Sequence, residues 1–249
     1  DVRDAGAMMD LLSGSDHCLH LAALISIPHS YEAPQSYIDT NVHGTLNILQ
    51  AARSAGTARI VVASTSEVYG TPEVVPIVET HPLQAQSPYA ASKVAADQLA
   101  LSFAASFGAP VMILRPFNTY GPRQSARAVI TTVLSQMLAG AVEIRVGSLA
   151  PRRDFTYVSD TVDGFVRSIA GDFFPGDVVQ LGTGVAVSVA ELIDMCREVT
   201  GSDARVVSES ARIRPERSEV MVLQSDPAKA ADRLGWRPTV GLRAGLEKT

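Results

Sequence analysis

Short, mainly apolar runs alternate with long amphipathic stretches along the first two-thirds of the chain, and this alternation restricts the fold more than any other feature of the sequence. Residues 18–23, 59–63 and 110–114 are such runs. Strands without polar alternation are buried on both faces, as in a parallel sheet. Residues 36–55 and 88–107 carry apolar side chains at three- and four-residue steps, the period of a helix with one face against a core. Strands and helices in that order predict an α/β fold, a doubly wound parallel sheet with right-handed crossovers.

Beyond Tyr120-Gly121-Pro122 the pattern loosens. A helix is expected near 126–139, a strand near 142–146 and a loop holding Arg152-Arg153-Asp154, and here a second, smaller lobe should begin. A helix over 158–169 with Ser159 as N-cap follows, and then a strand over 178–181 that ends at Gly182-Thr183-Gly184 and re-enters the sheet. Ser188 and Glu191 have capping-box spacing at the head of a helix over 188–199. After an Arg-rich loop at 212–217, Asp226 should cap a last helix stopping near Gly235-Trp236.

The formal charge of −5 argues against a general nucleic-acid surface, which would show a basic face. Cys18 and Cys196 lie far apart in apolar surroundings, so the expectation is two buried thiols rather than a disulfide framework or a zinc site. His20, His29 and His43 stand apart from other metal-type ligands, so no metal is expected. No apolar run reaches the roughly 18 residues needed to span a bilayer, and the first residues do not read as a signal peptide. The sequence is read as that of a cytoplasmic protein without a membrane partner.

Two segments carry chemistry. Tyr89 and Lys93 are spaced i,i+4, so a helix sets a phenol and an ammonium on one face. The apolar run at 59–63 is closed by Ser64-Thr65-Ser66-Glu67-Val68-Tyr69-Gly70, a group of hydroxyls with one carboxylate at a strand end, where α/β sheets present their sites. Together these segments point to an enzyme.

Eight short motifs in order resemble those of the extended short-chain dehydrogenases/reductases, specifically the NAD-dependent nucleotide-sugar epimerases and dehydratases. They are Asp1-Val2-Arg3-Asp4, His20-Leu21-Ala22-Ala23, Thr40-Asn41-Val42-His43-Gly44-Thr45, the segment from Ser64 to Gly70, the Tyr89/Lys93 pair, the segment from Arg115 to Pro122, Arg153-Asp154-Phe155 and Leu234-Gly235-Trp236. The family opens with a Gly-rich turn that this sequence does not contain, so the chain is expected to begin where the family's third strand ends. The resemblance implies a dinucleotide-binding lobe over 1–120, re-entered near 155–183, and a nucleotide-sugar-binding lobe over 121–154 and 184–249.

It further implies that Tyr89 takes the proton of the sugar 4-hydroxyl while hydride leaves C4 for NAD. A free tyrosine has a pKa of about 10, so Lys93 and a cationic nicotinamide are expected to favour the phenolate. Thr65 would hold the same oxygen. Glu67 discriminates further: an epimerase needs no carboxylate there, whereas a 4,6-dehydratase needs a base for the C5 proton. Ser66 stands where dehydratases acting on dTDP-glucose commonly have an Asp.

Asp1, Val2, Leu21, Ala22, Ala23, Ser64 and Pro116, with Tyr89 and Lys93, match the cofactor side of the family site, and Asn118, Arg127, Arg153 and Arg214 the nucleotide-sugar side. Base readout is expected around Ile144 and Val146. The segments Ser87 to Lys93, Arg115 to Arg127 and Ser218-Glu219-Val220 are most similar to dehydratases acting on N-acetylglucosamine nucleotides in legionaminic-type sugar synthesis. A 4-epimerase, a UDP-glucuronate decarboxylase and a non-catalytic sensor of dinucleotide or nucleotide sugar stay open as alternatives. The family also implies a homodimer built on the helices from Tyr37 to Gln50 and from Tyr89 to Phe103.

Overall fold

The computed structural model describes residues 1–172 and 174–249, with the backbone alone at residue 211. Its centre is a four-stranded parallel sheet in the order β1-β2-β3-β7, formed by His17–His20, Arg59–Ala63, Val111–Pro116 and Val178–Leu181. Register is set by Cys18 opposite Ile60, Ile60 opposite Val111 and Ile113 opposite Val178. The central strands β2 and β3 are buried along nearly their whole length, as runs without polar alternation require. Strand β1 stops at His20, three residues before the apolar run ends, because Leu24 turns away to pair its N–H and C=O with the Asn41 side chain.

Helices α1 (Ala5–Leu12), α4 (Gly44–Ala55) and α5 (Pro88–Phe107) close one face of this sheet around Leu49, Ile60, Val62, Ala100 and Ile113. Between α1 and α4 lie two short helices, α2 (Ile27–Glu32) and α3 (Pro34–Tyr37). The helix expected over 36–55 is interrupted by a π-helical turn at Ile38–His43, which sets Asn41 inward. Helix α5 runs from Pro88 as anticipated. Ser87 Oγ accepts from the Ala90 N–H at 3.1 Å, Pro88 occupies the first turn, and Gly108 ends the helix at φ 63°. Helices α7 (Val158–Ala170) and α9 (Ala228–Leu234) cover the opposite face with Phe165, Leu181, Leu234 and the fully buried Trp236.

A second sheet is built on β6 (Arg152–Tyr157), flanked in parallel by β10 (Val222–Leu223) and β4 (Asn118–Tyr120) and antiparallel by β8 (Ala186–Ser188). Strands β5 (Glu143–Val146) and β9 (Arg205–Ser208) form a parallel pair beside it. Helices α6 (Val129–Leu138), α8 (Val189–Thr200) and α10 (Leu242–Glu247) pack on this part through Ile130, Leu192, Phe155 and Leu246.

Three local expectations are corrected. Arg152-Arg153-Asp154 opens strand β6 rather than sitting in a loop, because the buried Asp154 accepts five hydrogen bonds, from Thr183, Gly184 and Ser225, that hold the strand in its sheet. The cap of α7 is Tyr157, without a side-chain bond, since the helix leaves directly from β6 and Ser159 falls inside its first turn. Asp226 accepts from the Ala228 N–H, but α9 is followed by α10. The polar residues after Trp236 reach that last helix because Asp160 accepts from Thr239 and Val240. Among the described residues no helix is long and apolar enough to cross a membrane.

Candidate active site

The C-terminal end of β2 turns through Ser64 and Thr65 into a 3₁₀ turn over Ser66–Tyr69, opposite the first turn of α5. Thr65 is extended and its hydroxyl accepts from the Glu67 N–H at 3.2 Å, which fixes the turn and sends Glu67 back toward the strand end. Gly70 ends the turn at φ 60° and ψ −146°; a Cβ there would lie 2.0 Å from the Gln84 carbonyl oxygen. Only glycine tolerates that combination of backbone and contact.

Tyr89 is buried against Tyr37, whose ring meets it edge-on at 6.2 Å, and against Ile27. Its phenol interacts with the Thr65 side chain. The position of α5 relative to α4 is set by Asn41, whose Nδ2 donates to Ser92 Oγ at 2.9 Å while Ser92 donates to the Tyr89 carbonyl at 2.7 Å. Asn41 belongs to a motif recognised in the sequence, but its positioning role depends on the π-helical turn, which periodicity does not reveal.

Lys93 also braces the strand end. Its ammonium donates to the Ala63 carbonyl at 2.6 Å, at the end of β2. Burial holds its pKa below the usual lysine range, against the pull of Asp97. Tyr89 is held well above the usual phenol range, first by burial and then by the negative charges of Glu67 and Asp97, with the Thr65 interaction opposing. Burial thus works against ionisation of the phenol, and Lys93 orders the strand end.

Beneath this layer Asp97 is completely buried and accepts from Ser64 Oγ at 2.9 Å and Arg115 Nε at 3.0 Å. Arg115 continues to the Tyr69 hydroxyl at 3.1 Å, and Tyr69 to Gln180 at 3.3 Å. Burial raises Asp97, and Arg115, Ser64 and Lys93 oppose it. The network joins the end of β2, the 3₁₀ turn, α5, β3 and β7, so the segments carrying Thr65, Glu67 and Tyr89 rest on a rigid polar base.

The other wall is an arginine–carboxylate cluster. Arg153 on β6 donates from Nη2 to Glu219 Oε1 at 3.2 Å, and Arg214 Nη1 lies 3.6 Å from that oxygen and 3.9 Å from Glu67 Oε1. Burial lowers the Arg153 pKa and Arg214 lowers it further, while Glu67 and Glu219 support the charge. Two of the anticipated substrate residues hold buried polar atoms without a hydrogen-bond partner, Asn118 Oδ1 and Arg214 Nη1. Arg214 Nη1 has a donor to offer an anion, and Asn118 Oδ1 an acceptor to offer a hydroxyl. Arg127 is exposed, and its charge reaches Tyr37. Ile144 and Val146 are buried in the hydrophobic cluster beside the second sheet.

On the cofactor side, Leu21 and Ala22 lie exposed beyond β1, Ala23 is half-buried, and Leu21 is 58% exposed although apolar. Small and apolar side chains next to open backbone fit a dinucleotide lying along the strand ends. Val2 packs against Gly44, whereas the Asp1 carboxylate is engaged by Arg3 at 3.0 Å. Pro116 ends β3 half-buried beside this edge. Among the described residues, no three His, Cys, Asp or Glu side chains gather as metal ligands.

The family model described as GDP-mannose 4,6 dehydratase matches residues 1–249. The dTDP-glucose 4,6-dehydratase of Streptomyces griseus is 33% identical over 241 residues, covering 96% of this chain and 72% of that protein. Among solved structures, DesIV, the dTDP-glucose 4,6-dehydratase from Streptomyces venezuelae with NAD bound, superposes with a TM-score of 0.91 at 32% identity over 100% of this chain and 76% of its own. The UDP-glucose 4-epimerase of Thermotoga maritima, solved with UDP-glucose, gives a TM-score of 0.93 at 30% identity over 100% and 81%. With this match over its whole length, the chain belongs to the GDP-mannose 4,6-dehydratase family, nucleotide-sugar dehydratases and epimerases of the extended short-chain dehydrogenase/reductase type.

Proposed function

We propose that the protein catalyses the NAD-dependent 4,6-dehydration of a nucleotide sugar to its 4-keto-6-deoxy form. The observation that carries this reading is Glu67, a carboxylate on the same turn as Thr65 and close enough to Tyr89 to influence its ionisation. An epimerase has no step for it.

When bound, NAD would supply the hydride acceptor for C4 and, once reduced, the hydride donor for C6. Thr65 and Tyr89 hold the 4-oxygen; positive charge arriving beside Tyr89 favours release of the phenol proton to solvent, and the resulting phenolate takes the 4-hydroxyl proton. Lys93 keeps the end of β2 in place for that contact. Oxidation at C4 acidifies C5, Glu67 takes the C5 proton, and the C6 hydroxyl leaves as water with a proton that balances the one Glu67 has taken. Ser66, buried in the same turn, shapes the floor beside Glu67. Arg153 and Arg214 take the diphosphate through charge-assisted donors, Asn118 and Arg127 line the sugar cleft, and the chain from Asp1 to Val2 with Leu21, Ala22, Ala23, Ser64 and Pro116 holds the dinucleotide.

The lobes divide accordingly. Residues 1–120 with 155–183 take the cofactor, and residues 121–154 with 184–249 take the nucleotide sugar. The sugar we favour is N-acetylglucosamine carried on UDP or GDP, on the similarity of Ser87 to Lys93 and of Ser218-Glu219-Val220 noted above. A homodimer through α4 and α5 is supported by the surface of α5: its only charged residues, Lys93 and Asp97, are both buried, so a 20-residue helix presents an uncharged outer face.

Incubation of the protein and NAD with UDP-N-acetylglucosamine, GDP-N-acetylglucosamine and dTDP-glucose is expected to give a product lighter by one water from one of them. A product of unchanged mass establishes the epimerase instead and removes the role given to Glu67.

A further inference from the structure

The cluster opposite Tyr89 pairs two guanidinium groups, Arg153 and Arg214, with two carboxylates, Glu67 and Glu219, so its formal charges cancel. Glu67 has a part in the reaction, but Glu219 has none. One of its oxygens nevertheless serves both arginines, at 3.2 Å from Arg153 and 3.6 Å from Arg214.

The position of Glu219 is determined by its neighbours. Ser218 Oγ donates to the Gln86 carbonyl at 2.6 Å and receives the Tyr31 hydroxyl at 2.5 Å, which ties the segment to the loop before α5 and to α2. Val220 on the other side is 1% exposed and belongs to the small core with Tyr69 and Phe117. With Ser218 and Val220 both anchored, the backbone at Glu219 is fixed beside the arginines.

Arg214 is not saturated by this arrangement. Its Nη1 is buried and makes no hydrogen bond, held between two carboxylates that lie just outside bonding distance. A guanidinium so placed has a donor ready for a stronger anion, while the carboxylates keep two like charges together in a dry site.

We propose that Glu219 is a built-in counter-anion, a stand-in for the nucleotide diphosphate that holds the arginine pair assembled before binding and lowers its affinity for the diphosphate. The proposal rests on the reading of Arg153 and Arg214 as the diphosphate site. A diphosphate entering the cluster takes the unsatisfied Arg214 donor and competes with Glu219 for Arg153. Because the competing charge is part of the protein, the penalty falls on every phosphate-bearing ligand and spares the nucleoside.

Calorimetric titration of the full chain with UDP, dTDP and GDP, each beside its monophosphate and nucleoside, tests both levels. Glu219→Gln keeps an oxygen acceptor for Arg153 and removes the charge. It is expected to tighten the binding diphosphate by about tenfold, the monophosphate by less and the nucleoside not at all. Glu219→Asp, which keeps the charge, should stay within about twofold of the parent protein. Glu219→Ala gives the same order as Gln and decides the matter if the Gln variant does not fold. Diphosphate binding that is unchanged or weaker in the uncharged variants, or a shift shared equally by the nucleoside, overturns the counter-anion. If no diphosphate binds the parent protein, or Arg153→Gln and Arg214→Gln leave its affinity intact, the reading of the arginines fails first and the proposal with it.

Discussion

Tyr89 shows how far a residue's chemistry depends on its surroundings. Its spacing from Lys93 is visible in the sequence, but not that the ammonium donates to the Ala63 carbonyl, nor that burial and two nearby carboxylates hold the phenol above its usual range. Tyr89→Phe is expected to reduce kcat by about 10³-fold with folding intact, and normal turnover in a well-folded variant would remove Tyr89 from the mechanism. Glu67→Gln should separate the steps: absorbance of reduced cofactor still forms on adding substrate, while loss of water stops. His20 supplies a pH dependence of stability. Thr45 Oγ1 donates to the Asn41 carbonyl, so His20 Nε2–H must be the donor to Thr45 at 3.0 Å, and burial, with Lys93, lowers the His20 pKa from 6.5 to about 4. The unfolded chain then binds the proton more readily, so stability is lost as pH falls from 6.5 through 4, by on the order of 3 kcal/mol. Burial raises Asp97 and Glu79, which act with the opposite sign. Denaturation at pH 7 and pH 5 isolates the histidine: His20→Gln should lose less stability between the two than the parent, and an equal loss would rule His20 out.

At the scale of elements, legibility followed the range of the interactions. Helix α5 could be read from Ser87, Pro88 and its apolar period because caps and amphipathicity are local. Ser188 and Glu191 form the expected capping box for the same reason. Strand β6 was not legible, since Arg152-Arg153-Asp154 looks like solvated loop until Thr183, Gly184 and Ser225, distant in sequence, converge on Asp154. Asp154→Asn replaces an acceptor in that knot with a donor and should lower stability by about 2–4 kcal/mol, seen as a lower denaturation midpoint with unchanged slope. Gly70→Ala places a methyl against the Gln84 carbonyl at a backbone angle suited to glycine. A loss of about 2 kcal/mol or more is expected, together with lower turnover, because the turn carrying Thr65 and Glu67 must move.

The whole molecule joins two sheets, and the Asp97–Arg115–Tyr69–Gln180 network ties the C-terminal end of the first to the turn and helix that follow it. If α5 pairs with its copy, light scattering should give twice the chain mass, and Ser102→Arg on its exposed face should halve it. NAD at about a hundred times its Kd should raise unfolding stability by about 2.7 kcal/mol; no stabilisation would count against the cofactor surface beside Leu21 and Ala22. By itself the sequence determined the alternation of buried strands and helices, the caps, the two Ser/Thr and Tyr/Lys segments and the family, because each of these is written in local spacing. Only the tertiary structure decided that Lys93 serves the backbone, that Asn41 positions α5, that Asp154 is a structural knot and that Glu219 faces the two arginines. Those roles depend on partners tens of residues away and on which groups lose water together, and neither is encoded in any local pattern.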